Sequence, residues 1–212
     1  FTTAILRVQE ITLGILCASL IHGVILPQTV TSRLIARVDA ILRDAARWSA
    51  DTLTDRPEAA LDRDRRRLAV DIFDLHQLSI HLPFDMARLQ PRISVVRALQ
   101  DQISLIMPLG AACLDRIDQL RTAGAMPGKV EALLADTRGW LLSGPHLDAE
   151  ATMLARRARE LEPTAPSTWS ELLLANLLVR LNELIQSHGA CAALRTLIAD
   201  PHAMPPTEIE TV

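Results

Sequence analysis

The chain has 212 residues, enough for one large domain or for one domain plus an anchor. Its net charge of −3 argues against a general nucleic-acid binder, which needs an overall basic surface to neutralise phosphates. Cys17, Cys113 and Cys191 are odd in number, widely scattered and without C-x-x-C spacing. Neither a disulfide framework nor a zinc site is therefore expected, and a reducing compartment fits.

The first segment is the most apolar. From Ile11 to Leu26 only Thr12, Ser19 and His22 are neither apolar nor small, and Pro27 stops the run. Upstream, Arg7 and Glu10 stand three apart, which places them on one helix face. The segment has no basic leader region and no small-residue cleavage site before Pro27, so it does not read as a signal peptide. Residues 1–27 read as a transmembrane helix, although the uninterrupted core is slightly short of the roughly 20 residues a bilayer takes. A buried helix of a soluble bundle is the competing account. Phe1 stands where a start methionine would, the pattern of a piece of a longer protein. Arg33, Arg37, Arg43 and Arg47 follow Pro27, offset by Asp39 and Asp44. Arginine excess beside a span marks its cytoplasmic side, so residues 28–212 are expected in the cytoplasm.

Everything beyond reads helical, and the expected fold class is all-α: one transmembrane helix leading into a cytosolic bundle with long antiparallel helices. From Thr29 to Leu53, residues Leu34, Val38, Ile41, Leu42, Ala45 and Trp48 share one stripe. Arg56-Pro57 breaks it. A second helix is expected from Pro57 to His81, with Leu61, Leu68, Ile72, Leu75 and Leu78 as its apolar line, followed by Leu82. Its run Asp62-Arg63-Asp64-Arg65-Arg66-Arg67 is mixed in sign and reads as a solvated face or a membrane-proximal collar. Leu82, Pro83, Phe84 and Asp85 are expected to end this helix as a structural turn.

From Ile93 to Arg121, Val96, Leu99, Ile103, Ile106, Gly110, Cys113, Ile117 and Leu120 alternate three- and four-residue steps, the seam of a coiled-coil-like hairpin. Pro108 is expected to interrupt and kink that helix near Gly110. Shorter helices follow at Lys129–Leu142 and Asp148–Leu161. A strong helix is expected from Trp169 to Ser187, with Thr168 and Glu171 at capping-box spacing and Gly189 as its stop. A short helix, Ala190–Ala199, and a proline-rich tail would finish the chain.

Candidate chemistry is sparse. His76 and His81 are five apart, which separates them by about 140° on a helix, so no metal pair is expected. No nucleophile-elbow, Walker A or dinucleotide glycine motif is present, and neither an enzyme nor a cofactor is expected. Arg7 and Glu10 differ, because charges in a bilayer pair with each other or line a pathway; at its edge they snorkel to water. An unperturbed histidine titrates near neutral pH, so His22 can join a proton relay or hydrogen-bond a neighbouring helix.

Arg7-Val8-Gln9-Glu10-Ile11-Thr12-Leu13-Gly14-Ile15, ending at Leu26-Pro27, resembles the R-x-x-E-I-x-x-G-I…P signature closing the first membrane half of the fusaric acid resistance (FUSC) proteins. Leu75-His76-Gln77-Leu78, then His81 to Asp85, then Val96-Arg97-Ala98-Leu99, resembles the soluble domain that follows in this group of aromatic carboxylic acid exporters. The resemblance implies an inner-membrane efflux protein of two similar halves, each with about six spans and a cytosolic helical domain. It implies small organic acid substrates, the remaining spans and the lipid bilayer as partners, and a homo-oligomer as an option. Arg7 would offset a substrate carboxylate, with Glu10 as its partner or proton acceptor. Two rival readings carry no transport: a membrane-anchored interaction or sensory module, and a wholly soluble bundle whose first segment is core.

Overall fold

The computed structural model describes residues 2–20, 30–54, 58–85, 90–144 and 148–199. Within them the protein is all-helical: α1 (Thr2–Leu20), α2 (Val30–Thr52), α3 (Glu58–Asp85), α4 (Gln90–Thr122), α5 (Gly128–Leu142), α6 (Asp148–Glu160) and α7 (Trp169–Ala199). The chain divides into two compact units, Phe1–Arg37 and Val38–Val212.

In the second unit α4 and α7 form the central pair, with α3 packed on α4, α6 on α7 and α5 on α6. At 33 and 31 residues, the central helices are about 50 and 46 Å long. They run antiparallel: Arg116 Nε donates to Asn176 Oδ1 at 3.0 Å, while Cys113, one turn earlier, lies near Arg180 and Glu183, one and two turns later. All eight positions of the α4 seam are buried, from Val96 to Leu120. Each large aliphatic side chain taken out of water there contributes about 1.5–3 kcal/mol.

Pro108 does not interrupt α4, which runs unbroken from Gln90 to Thr122. Gly110 has a different role. A Cβ there would lie 2.5 and 2.8 Å from Cζ3 and Cη2 of Trp48, so the glycine makes room for an indole from α2. That indole is buried and donates through Nε1 to the Leu61 carbonyl at 3.3 Å, joining α2, α3 and α4 at one point.

The expected stop at Gly189 is also corrected, because α7 continues from Trp169 to Ala199 as one helix. Gly189 does not have positive φ. It is buried, and a Cβ there would sit 3.6 Å from the Cβ of Ala151, so this glycine lies where α7 passes close to α6. The helical stops that glycine does provide are elsewhere. Gly124, at φ +62, closes α4 with its N–H on the Arg121 carbonyl and that of Ala125 on the Leu120 carbonyl. The start of α7 follows expectation: Thr168 Oγ1 accepts from the Glu171 N–H at 3.2 Å, and the Glu171 carboxylate accepts from the Thr168 N–H at 3.0 Å.

Leu82, Pro83, Phe84 and Asp85 form the last turn of α3. Proline at that position has no N–H to give the carbonyl four residues earlier, so its cost falls on the turn that precedes it.

Candidate functional site

Arg7 and Glu10 both lie on α1, three residues apart on one face, and Gly14 and Cys17 extend that stripe along the helix. Most of the remaining circumference is apolar, with Gln9 as an exposed polar exception. Val8, Ile11, Leu13, Ile15 and Leu16 are each between 58% and 64% exposed and spread over an arc of about 200°. Thr12 does not interrupt this surface, since its hydroxyl donates to the Val8 carbonyl at 2.7 Å and so satisfies itself on the helix backbone. A helix apolar over so wide an arc gains stability only in apolar surroundings: lipid, or other helices. No helix among the described residues is long and apolar enough to cross a membrane. At 19 residues α1 extends about 28 Å, but its continuous apolar part starts after Glu10, and residues 21–27 lie outside the described residues. His22 falls in that part, as do the side chains of Leu82, Pro83, Phe84 and Asp85.

The second unit contains polar contacts that no sequence motif announces. Ser49 and His188, on α2 and α7, share a hydrogen bond at 3.0 Å although 139 residues separate them. Both are buried, and the His188 ring stands edge-on to Trp140 of α5 with centroids 6.4 Å apart. A serine beside a histidine invites comparison with a nucleophile and its base. At 0% and 2% exposure neither side chain meets solvent, so the pair fastens helices instead. Three turns toward the N-terminus of α2, Asp39 receives both Nε and Nη2 of Arg195, at 2.7 and 2.8 Å. This fork holds the Asp39 carboxyl below its ordinary value and raises Arg195. A second fork joins Arg121 to Glu131 at 2.9 Å across the α4–α5 turn and lowers the Glu131 pKa.

The periodicity that reveals a helix face does not reveal which polar residue on it meets a partner, so no local pattern announces these pairs. Burial pushes the thiols of Cys113 and Cys191 up to about 12, which leaves both as inert packing groups. Cys17 on α1 is exposed. Among the described residues no group of His, Cys, Asp or Glu side chains could hold a metal ion.

No curated protein and no solved structure matches the chain. The family model of the fusaric acid resistance proteins matches residues 1–210, nearly the full length. With that match spanning both the apolar α1 and the helical bundle, the chain belongs to the fusaric acid resistance protein family.

Proposed function

We propose that this chain is part of an inner-membrane efflux transporter for aromatic or other weak organic acids. In this reading residues 1–27 form the last span of a membrane half, and residues 28–212 form a cytoplasmic helical domain serving assembly or gating. The family match from residue 1 to residue 210 is the observation that carries the reading. The α1 surface supports it. A wide apolar arc on α1 suits lipid and neighbouring spans, and a narrow Arg7–Glu10 stripe suits a polar pathway between them. Arg7 would then offset the substrate carboxylate, and Glu10 would pair with it or accept the coupled proton. His22 lies further along the same segment as a candidate relay group.

The remaining spans of the full protein are the partners this reading requires, and a homo-oligomer is compatible with it. A membrane-anchored interaction or sensory module is the second reading, because the exposed α1 would also serve a single anchor. The two part on one experiment. In cells carrying the full gene, Arg7→Ala and Glu10→Ala should each raise sensitivity to aromatic acids at unchanged protein level. Unchanged resistance in both variants would remove these residues from a transport mechanism. Loss of the whole gene without any change in acid resistance would favour the sensory reading.

A further inference from the structure

The outward side of α3 combines features that a merely solvated helix face would not. Its core line is Leu61, Leu68 and Leu75, buried at seven-residue intervals. On the arc opposite, at 100° per residue, stand Arg63, Arg66, Arg67, Val70, Phe73, Asp74 and Gln77, all exposed. Val70 and Phe73 are each 59% exposed and one turn apart. Phe73 is one of only three phenylalanines in the chain, and with Val70 it forms an exposed apolar pair ringed by arginines. The arc carries three arginines against one aspartate, in a protein whose net charge is −3. Arg65 stands outside the arc and pairs with Asp62 at 3.0 Å. The local positive sign is therefore a property of this face and not of the composition.

We propose that this face of α3 docks on the surface of an anionic lipid bilayer. Val70 and Phe73 enter the boundary between headgroups and acyl chains, and Arg63, Arg66 and Arg67 bind lipid phosphates around them. The chemistry is that of an interfacial helix, in which an apolar pair supplies depth and guanidinium groups supply bidentate phosphate contacts. Arg63 to Phe73 spans about 15 Å of helix, so the basic and apolar groups reach one bilayer surface together. Each arginine near such a surface is worth roughly a fivefold gain in binding, so the three together supply on the order of a hundredfold. The inference goes beyond the transporter reading and rests on it only for the presence of a bilayer, to which α1 would tether the chain.

The test uses the full chain with Cys17→Ala as background, because Cys113 and Cys191 are buried. Phe73→Cys, and separately Val70→Cys, carries a polarity-sensitive fluorophore, with Asp118→Cys on the exposed side of α4 as reference. The protein is mixed with vesicles of neutral phosphatidylcholine, or of phosphatidylcholine with anionic phosphatidylglycerol. Labels at 70 and 73 should shift to the blue, and be quenched by nitroxide lipids, in anionic vesicles only. The reference label should not respond, and added salt or the combined Arg63→Gln, Arg66→Gln, Arg67→Gln variant should reverse the shift. Equal emission in both vesicle types, or a shift that survives the arginine replacements, would overturn the proposal. A shift that follows protein concentration instead of lipid charge would overturn it in favour of a second copy of the chain. Flotation with neutral vesicles reads α1 alone, so loss of the anchor and loss of the α3 contact are told apart.

Discussion

Gly110→Ala is the sharpest probe of how the bundle is packed. On an exposed helix this change would stabilise by about 1 kcal/mol, since alanine is the better helix former. Here the new Cβ would lie 2.5 Å from Trp48 Cζ3 and 2.8 Å from Cη2, distances that real Cβ contacts do not show. Trp48 has little room to retreat: it is 3% exposed, and its indole N–H is committed to the Leu61 carbonyl. Overpacking of this kind costs about 1–3 kcal/mol. Displacing the buried indole N–H from its acceptor adds about 1–3 kcal/mol. Set against the propensity gain, the variant should lose about 3 kcal/mol, read as a lower urea midpoint by far-ultraviolet circular dichroism on the detergent-solubilised chain. Trp48→Phe removes the far edge of the indole that carries Cζ3 and Cη2. In that background Gly110→Ala should cost at least about 1 kcal/mol less than in the parent, a coupling that a double-mutant cycle measures directly. A Gly110→Ala variant as stable as the parent would refute the contact, as would a coupling indistinguishable from zero.

Ser49→Ala should cost about 1–3 kcal/mol, because it leaves a ring nitrogen of buried His188 without its hydroxyl partner, and the urea midpoint would show it. Gly189→Ala should stabilise by about 0.5–1 kcal/mol, since the position is helical and the added Cβ meets Ala151 at an ordinary 3.6 Å. Gly124→Ala should instead destabilise by about 1 kcal/mol, because φ at +62 suits glycine alone; thermal melts of the two variants should move in opposite directions. The folded-state pKa of Asp39 is depressed below 3.8 by Arg195. Its contribution is therefore present above that value and lost as pH falls through the lowered one. Both side chains are more than a third exposed, at 35% and 37%, so screening limits Asp39→Asn to about 0.5 kcal/mol at neutral pH. Melts repeated in acid should show that difference vanish.

The helices themselves were legible because their signals are local. The α4 seam and the Thr168–Glu171 capping box each depend on residues within a few positions of one another, which the sequence displays directly. The apolar α1 and its Arg7–Glu10 pair were legible for the same reason. Where reading failed, it failed on glycine and proline, whose local meaning is ambiguous. Gly189 has the spacing of a helix stop, yet α7 runs on through it where it passes α6. Pro108 sits on the exposed side of α4, which continues through it, and Pro83 is tolerated in the final turn of α3. Burial on several sides also hides the pattern of α7, whose inner residues include Leu184, Ile185, Ser187, His188, Gly189 and Cys191 in near succession.

Sequence alone determined the all-helical class, the principal apolar faces and the family resemblance, since each follows from periodicity or from motifs in order along the chain. Only the tertiary structure decided which polar side chains meet. Asp39 finds Arg195, Ser49 finds His188 and Trp48 finds the space at Gly110, because packing α2 against α4 and α7 brings together groups that a linear pattern keeps far apart.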